Sequence, residues 1–241
     1  MTEMRLQKYL AACGIGSRRT CETYITQGRV AIDGTTVTEL GTKIDPEINT
    51  VTFDGKEAIL SQEHHWIMMN KPPKYICSLK DPQQRPSCLD LLPQNLGRIY
   101  PVGRLDFMSE GVLLVTNDGE LAHKIAHPRY EIKKTYEVQT VEPLTQEQMH
   151  QMEQGIDCKG DQLRVLAITQ NKGKRNHPSY LISLGEGRHR HIRRMLAALH
   201  IHIVSLKRIA IGPLQLGRLK KGEWRFLTPK ELEAMRQAVN E

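Results

Sequence analysis

The chain has 241 residues, 39% of them hydrophobic and 25% charged, with a formal net charge of +7. That length holds one large domain or a small one plus a medium one, with the composition of a globular chain. No apolar run nears the ~20 residues of a membrane helix, which excludes a helical membrane span, and the positive excess favours a polyanionic partner.

Leu6, Tyr9, Leu10 and Cys13 recur at helical spacing and stop at Gly14, a residue that tolerates the positive φ found just past a helix end. Ser17 offers an N-cap oxygen to a second helix, whose stripe is Cys21, Tyr24 and Ile25 and whose end is Gly28. Two short helices pack as a hairpin. Val30-Ala31-Ile32 before Asp33-Gly34, and Val51-Thr52-Phe53 before Asp54-Gly55, each read as strand then turn. The polar run Ser61-Gln62-Glu63-His64-His65 places a domain boundary between residues 61 and 62. Beyond it, Trp66-Ile67-Met68-Met69 is expected to be a buried strand stopped by Asn70-Lys71-Pro72-Pro73. Asp81 to Pro86 reads as a loop, Val112 to Val115 as a strand before the Asn117-Asp118-Gly119 turn, and Glu120 to His127 as the start of a helix. Tyr136-Glu137-Val138 and Tyr180 to Leu184 alternate as strands do. Ile192, Met195, Leu196 and Leu199 form one helix face, which leaves Arg193 on its flank and Arg190 and Arg194 one turn apart on another side. The body is therefore α/β or α+β with several antiparallel pairs.

The five cysteines include no Cys-x-x-Cys pair and the ten histidines show no zinc-like spacing, so neither a metal nor a disulfide framework is expected. Met1-Thr2-Glu3-Met4-Arg5 lacks the basic and apolar start of a secretory signal, which points to the cytoplasm. From Gly185 to Arg225 there are ten Lys or Arg against Glu186 and Glu223, a local excess of eight that exceeds the whole chain's +7. Within it His189 and His191 read as solvent or phosphate contacts. Residues 1–60 hold seven basic and eight acidic side chains, so this head binds a polyanion only if its basic residues share a face. Arg18 and Arg19 start a helix, where free N–H groups and the helix dipole already favour a phosphate.

Arg104 and Asp106 lie on an exposed connection before the Val112 strand, a place where functional groups are commonly held. Taken alone, Arg-x-Asp is most often a surface ion pair of little energetic value. Its company changes the reading. Pro101-Val102-Gly103-Arg104-Leu105-Asp106 with Ser109 and Gly111, then Lys134-Thr135-Tyr136-x-Val138, then Gly187-Arg188-x-x-x-Ile192-Arg193-Arg194, resemble in that order the motifs of pseudouridine synthases. Asn70-Lys71-Pro72 and Gly222-Glu223-Trp224-Arg225 fit the same family. At the other end, Leu6-x-Lys8-Tyr9-Leu10, Gly14-Ile15-Gly16-Ser17-Arg18-Arg19, Tyr24-Ile25, Gly28-Arg29-Val30 and Asp33-Gly34 resemble an S4 RNA-binding domain over about residues 4–60. Joined, the two resemble the bacterial ribosomal RNA synthases that each modify one uridine or very few. Asp81-Pro82-x-x-Arg85-Pro86 and Leu121-Ala122-His123 through His127-Pro128-Arg129 are more similar to the large-subunit type. Small-subunit or transfer RNA as substrate, and a non-catalytic ribosome-assembly factor, stay open at this point. Met108 and His191 depart from the family, whose members often have an acidic or polar residue and a glutamine there.

The resemblance implies an α+β fold: an S4-type head over 1–61, then a catalytic domain over 62–241 built on a mixed, largely antiparallel sheet with flanking helices. It implies an isomerase that breaks the N1–C1′ bond of uridine and joins C5 to C1′, with no cofactor and no metal. Asp106 begins the cleavage, as a nucleophile or as a base that removes a sugar proton. Arg193 keeps that carboxylate charged. Arg104 holds the flipped nucleotide's site open or meets a phosphate. Tyr136 stacks beneath the uracil and is a candidate for moving the C5 proton. Lys8, Arg18, Arg19 and Arg29 in the head, with Arg188, Arg190, Arg194, Lys207 and Arg208 in the body, are the expected RNA contacts. The implied partner is a folded ribosomal RNA stem-loop, with no membrane, and the chain acts as a monomer. Extruding the base costs a few kcal/mol, which phosphate contacts must offset, so binding weakens with salt.

Overall fold

Ser17 accepts a hydrogen bond from the Thr20 N–H at 3.0 Å and thereby starts the Arg18–Thr26 helix, with Gly28 at φ +69° just beyond its end. The computed structural model of the chain describes residues 3–60, 63–78, 81–171 and 176–240. The expected boundary between Ser61 and Gln62 lies outside the described residues. By internal contacts the chain divides into two units, one made of Met1–His65 with Gln94–Ile99 and Asn117–Gly119, the other of the remainder.

In the first unit the Leu6–Ala12 and Arg18–Thr26 helices precede a four-stranded antiparallel sheet ordered Thr35–Val37, Val30–Ile32, Val51–Phe53, Lys56–Glu57. Leu6, Leu10, Cys21 and Ile25, from the stripes that helical spacing marked, are buried together with the strand residues Val30 and Val51 as its core. Both Asp-Gly pairs turn with positive φ, as expected.

The second unit is built on a nine-stranded sheet. Its main path runs Ala167–Gln170, Ser179–Leu184, Lys134–Thr140, Ile203–Ile211, Glu110–Thr116, Trp66–Lys71, Trp224–Phe226. Neighbours are antiparallel except Ile203–Ile211 with Glu110–Thr116, so the sheet is mixed and largely antiparallel. Trp66, Met68, Val112 and Leu114 pack with Leu121 and Ile125 of the Gly119–Ala126 helix and Met235 of the Pro229–Ala238 helix. Ile67, Met69, Leu113 and Val115 alternate with them onto the other face and are also fully buried, which is why these two central strands read as continuous apolar runs. The Trp66 strand continues through Asn70 and Lys71 instead of stopping at Met69. Polar side chains did not end it because both find internal partners: Asn70 Nδ2 donates to the Leu219 carbonyl, and Lys71 donates to carbonyls of the adjoining loop.

Register brings one row of residues across five strands. Lys71 is opposite Gly111, Gly111 pairs with Arg208, Arg208 with Tyr136, and Tyr136 with Ile182. Among the described residues no helix is long and apolar enough to cross a membrane.

Candidate active site

Residues 103–109 form the connection between the Tyr100–Val102 and Glu110–Thr116 strands. Gly103 enters it at φ +72°, a backbone state that favours glycine. The loop is pinned at several points. The Ser109 N–H donates to the Asp106 carbonyl at 3.0 Å, the Lys74 N–H to Phe107 O at 2.7 Å, and the Leu105 N–H to Cys77 Sγ at 3.4 Å. Beneath it Lys71 is fully buried, and its Nζ donates to Ser109 O at 2.8 Å and Pro72 O at 2.9 Å, with Asp106 O at 3.4 Å. Burial pulls the Lys71 ammonium below the usual lysine value, nearby acidic groups opposing.

Asp106 stands over this support with 29% of its side chain still exposed, so its carboxylate is reachable from outside. Arg193, on the His191–Ala198 helix, brings Nε to 3.6 Å from Asp106 Oδ2, an ion pair longer than a hydrogen bond. Its Nη2 donates to Ser109 Oγ at 3.1 Å. Burial lowers the Arg193 guanidinium from the usual arginine range, and the Asp106 charge opposes that shift. The helix flank predicted for Arg193 thus leans against the loop.

A cavity of about 130 Å³ opens in front of Asp106. Its wall includes Arg104, Asp106 and Ser109 from the loop, Lys134 and Tyr136 from one strand, Leu206, Arg208 and Ile211 from the next, Leu184, and Arg188, Arg190 and His191. Asp106 and Tyr136, remote in sequence, therefore share one wall, and Arg193 joins them through its pair with Asp106. Tyr136 is 8% exposed, and Arg104 and Arg190 are exposed at the rim. Arg190 is the N-cap of the helix, at φ +51°, and not a residue within it. Lys134 is partly buried, and desolvation, then the Arg208 charge, pull its ammonium down to about 8. Among the described residues no group of three His, Cys, Asp or Glu is placed to hold a metal ion.

Several expected RNA contacts are placed otherwise. Arg208, expected to contact RNA, is 4% exposed and so reachable only through the cavity it lines; its Nε donates to the Val112 carbonyl at 2.7 Å. His191, read as facing solvent or phosphate, is also buried, at 4%. Alternation along the strand turns Lys207 to the face opposite Arg208. Asp161 accepts from Arg194 at 2.8 Å and lies 3.8 Å from Arg188, which also pairs with Glu186 at 3.0 Å. In the head, Lys8, Arg18 and Arg19 are exposed, the latter two opening their helix as predicted. Arg29 pairs with Asp54 and stacks over the Tyr24 and Phe53 rings, 4.4 and 4.7 Å from their centroids.

Two residues of the site were outside the predicted set, Lys71 and Lys134. The Trp66 strand is buried on both faces, so carrying it two residues further would have marked Lys71 as internal. Lys134 lies two residues before Tyr136 on one strand, hence on the same face.

The model of the RNA pseudouridylate synthase family matches residues 65–198, and that of the S4 domain matches residues 4–47. An uncharacterized RNA pseudouridine synthase of Aquifex aeolicus is 39% identical, covering 99% of this chain and 96% of the relative. The Bacillus subtilis protein named ribosomal large subunit pseudouridine synthase B is 35% identical, covering 96% and 95%. A solved crystal structure of a pseudouridylate synthase superposes with a TM-score of 0.68 at 29% identity, covering 96% of this chain and 99% of that one. With Asp106 and Tyr136 lining one cavity, Arg193 paired to Asp106, and these likenesses spanning nearly all of the sequence, the chain belongs to the RNA pseudouridylate synthase family and carries an S4 domain at its N-terminus.

Proposed function

We propose that this protein converts a uridine of large-subunit ribosomal RNA to pseudouridine, acting in the cytoplasm as a monomer on a folded stem-loop, with an S4-type head over 1–61 and a catalytic domain over 62–241. The observation that carries the reading is the Asp106–Arg193 pair, 3.6 Å apart, at a cavity walled by Tyr136. The large-subunit assignment is supported by the relative of that name, which matches over almost the whole chain.

The reaction needs a group that starts glycosidic cleavage, a pocket that retains the detached base, and a route for the C5 proton. Asp106 supplies the first: its carboxylate is accessible, while Lys71 and Ser109 fix the backbone beneath it. Arg193 stabilises the carboxylate and positions it through Ser109. Tyr136 gives the uracil an aromatic face and a hydroxyl near C5. Arg104 at the rim occupies the gap left in the helix or meets the flanking phosphate. The head's Arg18 and Arg19 and the rim arginines provide the phosphate contacts that offset extrusion of the base, so the affinity falls as salt rises.

Asp106→Asn tests the reading. It is expected to abolish tritium release from ribosomal RNA labelled at uridine C5 and to leave RNA binding intact. Pseudouridine mapping in a strain without the gene is expected to show one or very few large-subunit positions lost. Unchanged large-subunit RNA together with a lost small-subunit or transfer RNA site would overturn the substrate assignment. Absence of release by the wild-type protein would overturn the catalytic one.

A further inference from the structure

Arg208 holds an unused charge at the wall of the uridine cavity. It is 4% exposed and lines that cavity, yet among the described residues only Nε of its five N–H donors has a hydrogen-bond partner, the Val112 carbonyl at 2.7 Å, and Nη2 is buried with none. A buried donor without an acceptor destabilises the empty protein, and a guanidinium cannot relieve this by losing its proton. The strand register sets Arg208 directly beside Tyr136, and Leu206 and Leu184 belong to the same wall. The wall thus sets apolar side chains and an aromatic ring beside a cationic donor. Phosphates have better partners in Arg104 and Arg190, which are exposed at the rim.

Uracil matches what is unused. It is planar and carries carbonyl oxygens at C2 and C4. When the N1–C1′ bond breaks, whether Asp106 attacks the sugar or removes a sugar proton, the electron pair leaves with the base and its charge is shared among N1, O2 and O4. C5 then gives a pair to C1′ as the Asp106–C1′ bond breaks and returns its pair to the carboxylate, or as C2′ takes back the proton it lost; the C5 proton departs and N1 takes up a proton. An acceptor oxygen is thus most basic while the base is detached, when it also has to be retained.

We propose that Arg208 contacts the substrate directly, its guanidinium donating a hydrogen bond to a uracil carbonyl oxygen and holding the negative charge of the detached base. This rests on the reading of the Asp106 cavity as the uridine site. Lys134, its cationic neighbour on the wall, adds to the positive potential there.

The test uses the full-length protein and a short RNA spanning the mapped target, with the target uridine, 2-thiouridine or 4-thiouridine in place, since sulfur is the weaker acceptor. Conversion is followed under single-turnover conditions with wild type, Arg208→Met and Arg208→Lys. Loss of one hydrogen bond to a charged donor corresponds to roughly 10- to 100-fold in rate. Wild type is expected to lose about that factor on one of the two thio substrates. Arg208→Met is expected to lose a similar factor on uridine with RNA affinity unchanged, and to show almost no further penalty for sulfur; Arg208→Lys recovers part of both. An identical sulfur penalty in wild type and Arg208→Met would assign Arg208 a structural role and overturn the proposal. If Arg208→Met fails to fold, wild type decides: tolerance of both thio substrates refutes the contact. Failure of wild type on uridine itself would instead refute the underlying reading.

Discussion

Gly111 stands between Lys71 and Arg208 in the sheet, at φ +107°. A methyl group added there would lie 2.1 Å from the Arg208 carbonyl oxygen and 2.7 Å from its nitrogen. Both atoms belong to the backbone of the neighbouring strand, so no side chain can swing aside, and Gly111→Ala has to part the parallel pair. Positive-φ strain in a non-glycine residue costs ~1–3 kcal/mol. Overpacking adds ~1–3 kcal/mol, for a total of about 2–6 kcal/mol. Against a domain stability of roughly 5–15 kcal/mol this is a large share. For a unit of this size it lowers Tm by roughly 4–24 °C. Thermal and urea unfolding by circular dichroism measures the loss, with tritium release assayed below the transition. Because Arg208 and the Asp106 loop adjoin the parted strands, activity should fall further than the folded fraction explains. An alanine variant melting within about 2 °C of wild type would refute the packing argument.

Lys71→Met leaves two or three buried carbonyls without a donor and is expected to cost about 2–5 kcal/mol. As the loop beneath Asp106 loosens, kcat should drop at least about tenfold with RNA affinity kept, because small misplacements of a reacting group are costly; an unchanged kcat would show that the loop holds its shape without Lys71. Lys134, held at about 8 against a usual 10.5, titrates earlier in the folded chain. The unfolded chain therefore binds more protons between about pH 8 and 10.5, and Lys134 makes stability rise with pH across that window. Lys134→Met should remove this rise, read as the difference in urea midpoint between variant and wild type; a difference independent of pH from 7 to 10.5 would contradict the burial of its charge.

Elements with a local cause were legible in the chain. Ser17 caps a helix because its hydroxyl reaches the Thr20 N–H, an interaction spanning three residues. The Asp-Gly turns, the apolar stripes of both head helices and the alternation around Tyr136 depend equally on near neighbours. The order of the motifs pointed to Asp106, Arg104, Tyr136 and Arg193 together, and all four lie at one cavity or directly behind it.

The fates of the cations were not legible. A count of charge from Gly185 to Arg225 could not include Asp161, which comes from a distant hairpin and occupies Arg194 and part of Arg188. Nor could it separate Lys207 from Arg208, adjacent in sequence but on opposite faces of one strand, one near solvent and the other in the wall of the cavity. Spacing along the chain, then, determined the helices, the turns and which residue types were present for the chemistry, because those depend on contacts a few residues long. Tertiary structure alone decided which charges are buried, paired or left with unused donors, because burial and pairing are set by what another strand or loop brings alongside.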